Sequence, residues 1–282
     1  PADYLDPATA GLPLFPRATQ EQQATFLLDR FFVPWQASTP LETTRQPFWA
    51  VDWVLSETVF GINLRRVADE QLKALVAQAA PDRYPSLDRK AISLRRCNLR
   101  ALPTASPLFK NPDQAGEGFP FDMLQHTALA ANTPLHVTHR SVDGNWLFIE
   151  TAQVYGWLPV SELAWVDEAF QHSFTTGHYR ALTDDHVPVF DEDGLYRFSA
   201  GIGSLFPVAH PESPEILIAV ADVQQQAVLV RAHLPGDQSA PFPLVPTPRR
   251  FAALAAVMIG QPYDWGGQLG YRDCSATIQD LF

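Results

Sequence analysis

The chain has 282 residues, enough for two or three folded domains, and its 46% content of hydrophobic residues excludes a disordered protein. A net charge of −11 argues against nucleic acid or an anionic membrane surface as a partner. No apolar run approaches the roughly 20 residues of a membrane span, and a chain that begins at Pro1 is expected to be a mature or trimmed form. Its two cysteines, Cys97 and Cys274, predict neither a disulfide framework nor a metal site.

The first 92 residues are predicted to be a helical and irregular segment. Apolar residues recur at helical spacing over 21–32 and over 70–80, which predicts two helices, the first ended by Pro34-Trp35 and the second by Pro81. Residues 36–47, between the two helices, are typical of a loop. The tryptophans of this segment are expected to pack in the core: Trp35, Trp49 and Trp53.

From residue 93 the pattern changes to short alternating strands separated by turns, which predicts a small barrel over 93–168 and a second one over 169–236. In the first barrel, the Asp-Gly pair at 143–144 predicts a hairpin. The first barrel is predicted to contain strands at 91–94, 97–99, 124–129, 134–139, 146–150 and 153–160. The second is predicted to contain strands at 187–190, 195–198, 201–208, 216–220 and 227–232.

The last part of the chain contains a candidate nucleophile. Residues 235–248 are dense in proline and predict a linker, and 249–259 predict a helix with Gly260 as its C-cap. A glycine-rich turn then leads to Cys274 at the start of a second apolar run at helical spacing. Helix N-termini favour thiolate over thiol, so this position suits a nucleophilic cysteine, although the local pattern alone suits a buried structural cysteine equally well.

This stretch resembles the NlpC/P60 family of papain-like cell-wall peptidases, whose signature reads PYxWGG, a short loop and DCS. The matching residues are Pro262, Tyr263, Trp265, Gly266, Gly267, Asp273, Cys274 and Ser275. The resemblance implies that Cys274 is the nucleophile and that Tyr263 lies beside the oxyanion, where a hydrogen-bond donor is needed. It also implies that Asp273 and Ser275 bind substrate, Asp273 through the free amine of an N-terminal L-Ala. Both residues also suit a helix N-cap, and the two roles are compatible; Arg272 departs from the pattern and is assigned no role.

The strand-rich regions resemble the SH3b domains that accompany such peptidases. The Gly-Trp-Leu-Pro sequence at 156–159 and the lead-in at 93–104 carry the resemblance for the first domain. The resemblance implies an α+β protein with four parts: an N-terminal clip segment (1–92), a first SH3b domain (93–168), a second SH3b domain (169–236), and a linker with the start of a papain-like catalytic domain (237–282).

In the family a histidine on a strand after the nucleophile helix serves as the base, and a third polar residue orients it. Every histidine of this chain precedes Cys274: His126, His136, His139, His172, His178, His186, His210 and His233. A base from another domain is the less favoured alternative. The chain is therefore expected to end early in the catalytic domain, and the base is expected in the remainder of that domain or in a separate polypeptide that completes it.

The resemblance implies a peptidoglycan hydrolase that cleaves the bond between γ-D-Glu and a diamino acid in stem peptides with a free N-terminal L-Ala, without metal or organic cofactor. The expected partners are peptidoglycan stem peptides and the remainder of the catalytic domain. The expected location is periplasmic or extracytoplasmic and associated with the cell wall, with cytoplasmic murein recycling as the alternative. A hypothesis from another class is a non-catalytic wall-binding scaffold of two SH3b domains with an incomplete peptidase domain; fast alkylation of Cys274 would favour the enzyme.

Overall fold

The computed structural model of the protein describes residues 2–41, 46–211 and 213–282. The described residues of its N-terminal segment form three α-helices: α1 (Arg17–Gln36), α2 (Trp49–Ser56) and α3 (Asp69–Ala79). The helix predicted over 70–80 is confirmed as α3. Within the predicted loop at 36–47, residues 42–45 lie outside the described residues, and a short 3-10 turn begins at Gln46.

The predicted end of α1 at Pro34-Trp35 is wrong, because both residues lie inside the helix, which continues to Gln36. A proline inside a helix removes one backbone hydrogen bond. Tertiary contacts hold the last turn instead: the Trp35 indole Nε1 donates to the Ala91 carbonyl at 2.8 Å, and the ring packs on Phe174 at 5.7 Å between centroids. Trp35 is buried as expected. Trp49 and Trp53, both on α2, are partly buried and pack against the hydrophobic cluster to which α2 and α3 contribute buried residues.

The first β domain is a seven-stranded antiparallel sheet in the order β3-β2-β6-β5-β4-β1-β7. Its strands are β1 (Arg89–Ser93), β2 (Cys97–Arg100), β3 (Gln125–Leu129), β4 (Pro134–Arg140), β5 (Trp146–Glu150), β6 (Tyr155–Pro159) and β7 (Leu163–Trp165). The six predicted strands are confirmed, and β7 is additional. One buried cluster contains a residue from every strand, so the sheet curls around it: Ala91, Cys97, Leu129, Leu135, Ile149, Leu158 and Leu163.

The second β domain has two antiparallel sheets, in the orders β10-β9-β13-β12 and β11-β8-β14. Its strands are β8 (Tyr179–Leu182), β9 (Val187–Asp191), β10 (Tyr196–Ala200), β11 (Leu205–Pro207), β12 (Ile216–Ala221), β13 (Ala227–His233) and β14 (Ser239–Pro241). A short helix, α4 (Glu168–Phe174), precedes them.

The linker prediction for 235–248 is wrong at β14, whose three residues pair with β8. β14 is the outer strand of its sheet, a position where a proline costs no ladder hydrogen bond on its free side. The helix predicted over 249–259 is confirmed as α5 (Pro248–Met258), but its C-cap is Ile259, and Gly260 follows with φ +84°. The last helix is α6 (Cys274–Leu281).

Candidate active site

Cys274 is the first residue of α6, and its side chain is exposed. Asp273 caps the helix, because its Oδ1 accepts hydrogen bonds from the Ala276 amide and the Ser275 hydroxyl, both at 2.8 Å. The N-cap role considered for Asp273 is thus present in the structure. The other cysteine, Cys97, is buried in the first β domain, and this burial raises the pKa of its thiol. Of the two thiols, only Cys274 is placed to meet a reagent or a substrate.

Tyr263 lies beside Cys274 although ten residues separate the two in sequence. The backbone brings them together through a parallel bridge between Tyr263 and Arg272, in which the Asp264 amide donates to the Arg272 carbonyl at 3.0 Å. Desolvation raises the pKa of the Tyr263 hydroxyl, and its neighbours Cys274 and Asp273 raise it further. The hydroxyl therefore stays protonated at neutral pH and is able to donate a hydrogen bond next to the thiol.

A buried carboxylate shapes the loop between Tyr263 and Cys274. Asp264 is 5% exposed, and its Oδ2 accepts hydrogen bonds from the amides of Leu269 at 2.7 Å and Tyr271 at 3.0 Å. Gly266 and Gly267 have φ of +59° and +69°, values that side-chain-bearing residues rarely adopt. The glycine pair forms the turn, and Asp264 closes the loop that follows it.

Side chains of the first β domain hold this loop by donating hydrogen bonds to the backbone carbonyl groups of the loop. The side-chain amide of Gln125 donates to the Gly266 carbonyl at 3.0 Å. The Arg96 guanidinium donates to the carbonyls of Gly267 at 3.0 Å and Tyr271 at 3.1 Å. In return, the Trp265 indole donates to a backbone carbonyl of the first β domain at 2.9 Å. A Cβ atom on Gly266 would lie 2.6 Å from Cγ of Gln125, so this glycine allows the Gln125 side chain to lie against the loop.

The second β domain holds the same segment by charge. Arg272 donates to both carboxylate oxygens of Asp185, at 2.7 and 2.8 Å, and its Nε donates to Asp280 of α6 at 2.6 Å. Burial alone would raise the pKa of Asp185, but hydrogen bonds from Arg272 and Gln261 outweigh it and hold that pKa below its usual value. For Asp280, burial outweighs the attraction of Arg272, and the pKa is raised.

Two family models match parts of the chain. Residues 1–84 match the N-terminal NLPC_P60 stabilising domain, and residues 107–159 match the SH3 domain of SH3b1 type. The chain has the fold of a solved NlpC/P60 endopeptidase from Photobacterium damselae subsp. piscicida, with a TM-score of 0.89 at 21% identity. The two models and the shared fold make the chain similar in domain composition to NlpC/P60 proteins. The match covers 100% of this chain and 65% of the endopeptidase chain, and no curated protein matches the sequence.

The NlpC/P60 resemblance and the α+β fold class predicted from the sequence are confirmed, and the model match at 107–159 lies within the first predicted SH3b domain. The exact domain boundaries and the SH3b type of the second β domain stay predictions. No described helix is both long and apolar enough to cross a membrane. Among residues 2–41, 46–211 and 213–282, no cluster of three or more histidine, cysteine, aspartate or glutamate side chains is placed to hold a metal ion.

The structure brings the four predicted site residues of the NlpC/P60 motif to one place: Tyr263, Asp273, Cys274 and Ser275. Sequence reasoning missed the residues that position them, namely Asp264, Arg272, Asp185, Arg96 and Gln125. The sequence carried a signal for two of these. Asp264 lies inside the PYxWGG motif, and Arg272 is a charged residue next to Asp273 at a position where the motif does not require one.

Proposed function

We propose that the protein is a cysteine endopeptidase of the NlpC/P60 type that cleaves the amide bond between γ-D-Glu and a diamino acid in peptidoglycan stem peptides. The observation that supports this most is the exposed thiol of Cys274 at the start of α6, with the protonated hydroxyl of Tyr263 beside it. A nucleophile at a helix N-terminus next to a hydrogen-bond donor suits attack on a carbonyl.

In the proposed reaction, the Cys274 sulfur forms a bond to the γ-carbonyl carbon of D-Glu, and the carbonyl oxygen becomes an oxyanion. The Tyr263 hydroxyl donates a hydrogen bond to that oxygen. Collapse of the intermediate breaks the C–N bond, and the amine of the diamino acid leaves with the proton that the thiol gave up. Water then hydrolyses the thioester and frees the thiol. The resemblance assigns the transfer of the proton to a histidine on a strand after the nucleophile helix.

Substrate selection is proposed to rest on the charge of Asp273. Its Oδ1 is used by the helix cap, and its Oδ2 has no hydrogen bond to another side chain or backbone group among the described residues. A carboxylate next to the nucleophile suits the ammonium group of an N-terminal L-Ala, and the Ser275 hydroxyl lies against the same carboxylate. The SH3b domain supports a cell-wall association, and an extracytoplasmic location is proposed on the same basis.

The first test is hydrolysis of L-Ala-γ-D-Glu-meso-diaminopimelate, followed by mass spectrometry. We expect the full chain, meaning these 282 residues completed by the histidine-bearing remainder of the catalytic domain, to release the dipeptide and free diaminopimelate, and Cys274→Ala in it to lower kcat by at least about 10³-fold. Cys97→Ala removes the other thiol and is the matched control, which should keep its activity. Cleavage that persists in Cys274→Ala contradicts the proposal. A folded full chain without any cleavage supports the wall-binding scaffold instead, whereas cleavage that is missing only from the 282 residues alone supports an incomplete enzyme.

The variant Asp273→Asn separates the two roles of this residue. Asparagine caps helices about as well as aspartate, so we expect the free energy of unfolding to change by less than about 0.5 kcal/mol. The lost charge should raise KM about tenfold for the peptide with a free amine and leave the already weak cleavage of its N-acetylated form unchanged. Equal KM values for Asp273→Asn and the unmodified protein would show that the carboxylate caps the helix and does not bind the substrate amine.

A further inference from the structure

Arg272 connects the nucleophile helix to the second β domain through three groups. Its two terminal nitrogens form a bidentate pair with Asp185 in the β8–β9 connection, and Nη2 also donates to the Ile202 carbonyl at 3.0 Å. Its Nε donates to Asp280 at the other end of α6. The side chains of Arg272 and Asp185 are only 10% and 6% exposed, so the pair is largely removed from water. Charged hydrogen bonds in such surroundings are short and directional.

The second β domain therefore holds α6 near both of its ends. Arg272 stands two residues before Cys274, and Asp280 lies in the last turn of the same helix. The contact at Asp280 is close, because a Cβ atom on Gly203 of the second β domain would lie 2.5 Å from Asp280 Oδ1. Gln261, which precedes the Pro-Tyr motif, donates to Asp185 Oδ2 at 2.8 Å and ties the start of the motif to the same carboxylate.

We propose that Arg272 is a positioning residue that fixes the direction of the Cys274 side chain by joining α6 to Asp185 of the second β domain. This inference rests on the proposed function, and it makes the second β domain a part of the catalytic apparatus. An arginine is required, since its planar group offers two parallel donors to Asp185 and a third to Asp280, whereas lysine offers a single charged centre. A small rotation of α6 moves the sulfur from its line of attack, and misplacement of about 1 Å costs on the order of 10²-fold in rate.

The test compares kcat and KM for L-Ala-γ-D-Glu-meso-diaminopimelate in Arg272→Met, Arg272→Lys and Asp185→Asn of the full chain. The matched control is Arg197→Met, which removes another arginine–aspartate pair of the second β domain, the one with Asp191. We expect Arg272→Met to lower kcat at least tenfold with KM within threefold, Arg272→Lys to fall between, and Arg197→Met to stay near the unmodified protein.

A double-variant cycle tests whether Arg272 acts through Asp185. If it does, Arg272→Met in the Asp185→Asn background lowers kcat by no more than about twofold further. Should Arg272→Met fail to fold, Arg272→Lys and Asp185→Asn alone decide the question. The proposal is overturned if folded Arg272→Met has a kcat within twofold of the unmodified protein. If Arg272→Met does not fold, the proposal is overturned when both Arg272→Lys and Asp185→Asn keep kcat within twofold.

Amide hydrogen exchange over α6 is a readout that does not need catalysis. We expect the amides of residues 276–280 to exchange at least tenfold faster in Arg272→Met and at the unmodified rate in Arg197→Met. If the protein shows no Cys274-dependent hydrolysis, the proposed function fails while faster exchange still supports the positioning of α6 by Arg272. Unchanged exchange in folded Arg272→Met overturns the positioning whatever the activity.

Discussion

The two β domains hold the segment 261–274, which ends at Cys274, in different ways. The first β domain donates hydrogen bonds from Gln125 and Arg96 to backbone carbonyls of the loop, and two glycines allow the close approach. The second β domain uses the ion pair between Arg272 and Asp185. The first contact thus depends on the shape of the loop backbone, and the second depends on a single charged side chain.

This difference explains why residues of the first contact belong to the sequence motif and those of the second do not. A contact made to carbonyl groups needs a defined backbone. The glycines that form the turn belong to the motif, and Asp264, which closes the loop, occupies the motif's variable position. An ion pair needs only two complementary side chains at the right places, and neither Arg272 nor Asp185 belongs to the motif. We therefore expect the shape-dependent contact to fail through steric overlap, and the ionic contact to fail through loss of charge.

The largest effect that sharpens this comparison is expected at Gly266. Gly266→Ala places a side chain at φ +59°, which costs roughly 1–2 kcal/mol, and the overlap with Gln125 adds about 1–3 kcal/mol as the neighbours shift. Gly260→Ala is the matched control, because Gly260 has φ +84° but nothing within 4 Å of an added Cβ. Urea unfolding of both variants measures the difference.

Gly266→Ala should lower the free energy of unfolding by about 1–3 kcal/mol more than Gly260→Ala does, because only the former overlaps with a neighbouring residue. Equal losses would mean that backbone strain alone matters at both positions, and that the first β domain does not constrain the loop through this contact. A second measurement, the rate of Cys274 alkylation by iodoacetamide, should change in Gly266→Ala and remain unchanged in Gly260→Ala.

Local patterns predicted much of this fold. The amphipathic run before Pro81 predicts α3 to within one residue, and the alternating residues around the Asp143-Gly144 turn predict the β4–β5 hairpin. These elements are governed by periodicity and turn chemistry, both of which the sequence displays. The motif likewise pointed to Tyr263, which lies next to Cys274 in the structure, while the roles of the motif residues stay predictions.

The contacts that sequence reasoning missed are those between distant parts of the chain. Arg272 and Asp185 are 87 residues apart in sequence, and no local pattern connects them. The strand β14 forms in a proline-rich stretch only because β8 offers it a partner edge, and α1 continues past Pro34 because Trp35 packs below it. In each case a tertiary contact outweighs the local preference.

The smallest expected effect separates the two domains by pH. In the first β domain, burial lowers the pKa of His126, His136 and His139, in each case against hydrogen bonds that would raise it. The pKa of such a histidine is lower in the folded state than in the unfolded state, so the unfolded state takes up the proton first as the pH falls. Each of these histidines therefore lowers the free energy of unfolding as the pH falls below 6.5 and has no such effect above that value. For Asp185 the pKa is also lowered, but from 3.8, so its contribution is complete above about pH 4 and is lost at lower pH.

We therefore expect the free energy of unfolding to fall as the pH is lowered from 7.5 to 5, while hydrogen exchange over α6, corrected for intrinsic rates, becomes faster only below about pH 4, where Asp185 takes up a proton. The raised pKa of Asp280 acts in the opposite direction to that of Asp185 and above pH 3.8, so on lowering the pH it slows exchange before the contribution of Asp185 is lost. In His139→Gln the slope of unfolding free energy against pH should be smaller, whatever the absolute stability, because one titrating group is gone. A free energy of unfolding that is constant between pH 7.5 and 5 would show that the buried histidines do not govern the acid response. It would also remove the difference in pH window between the two β domains.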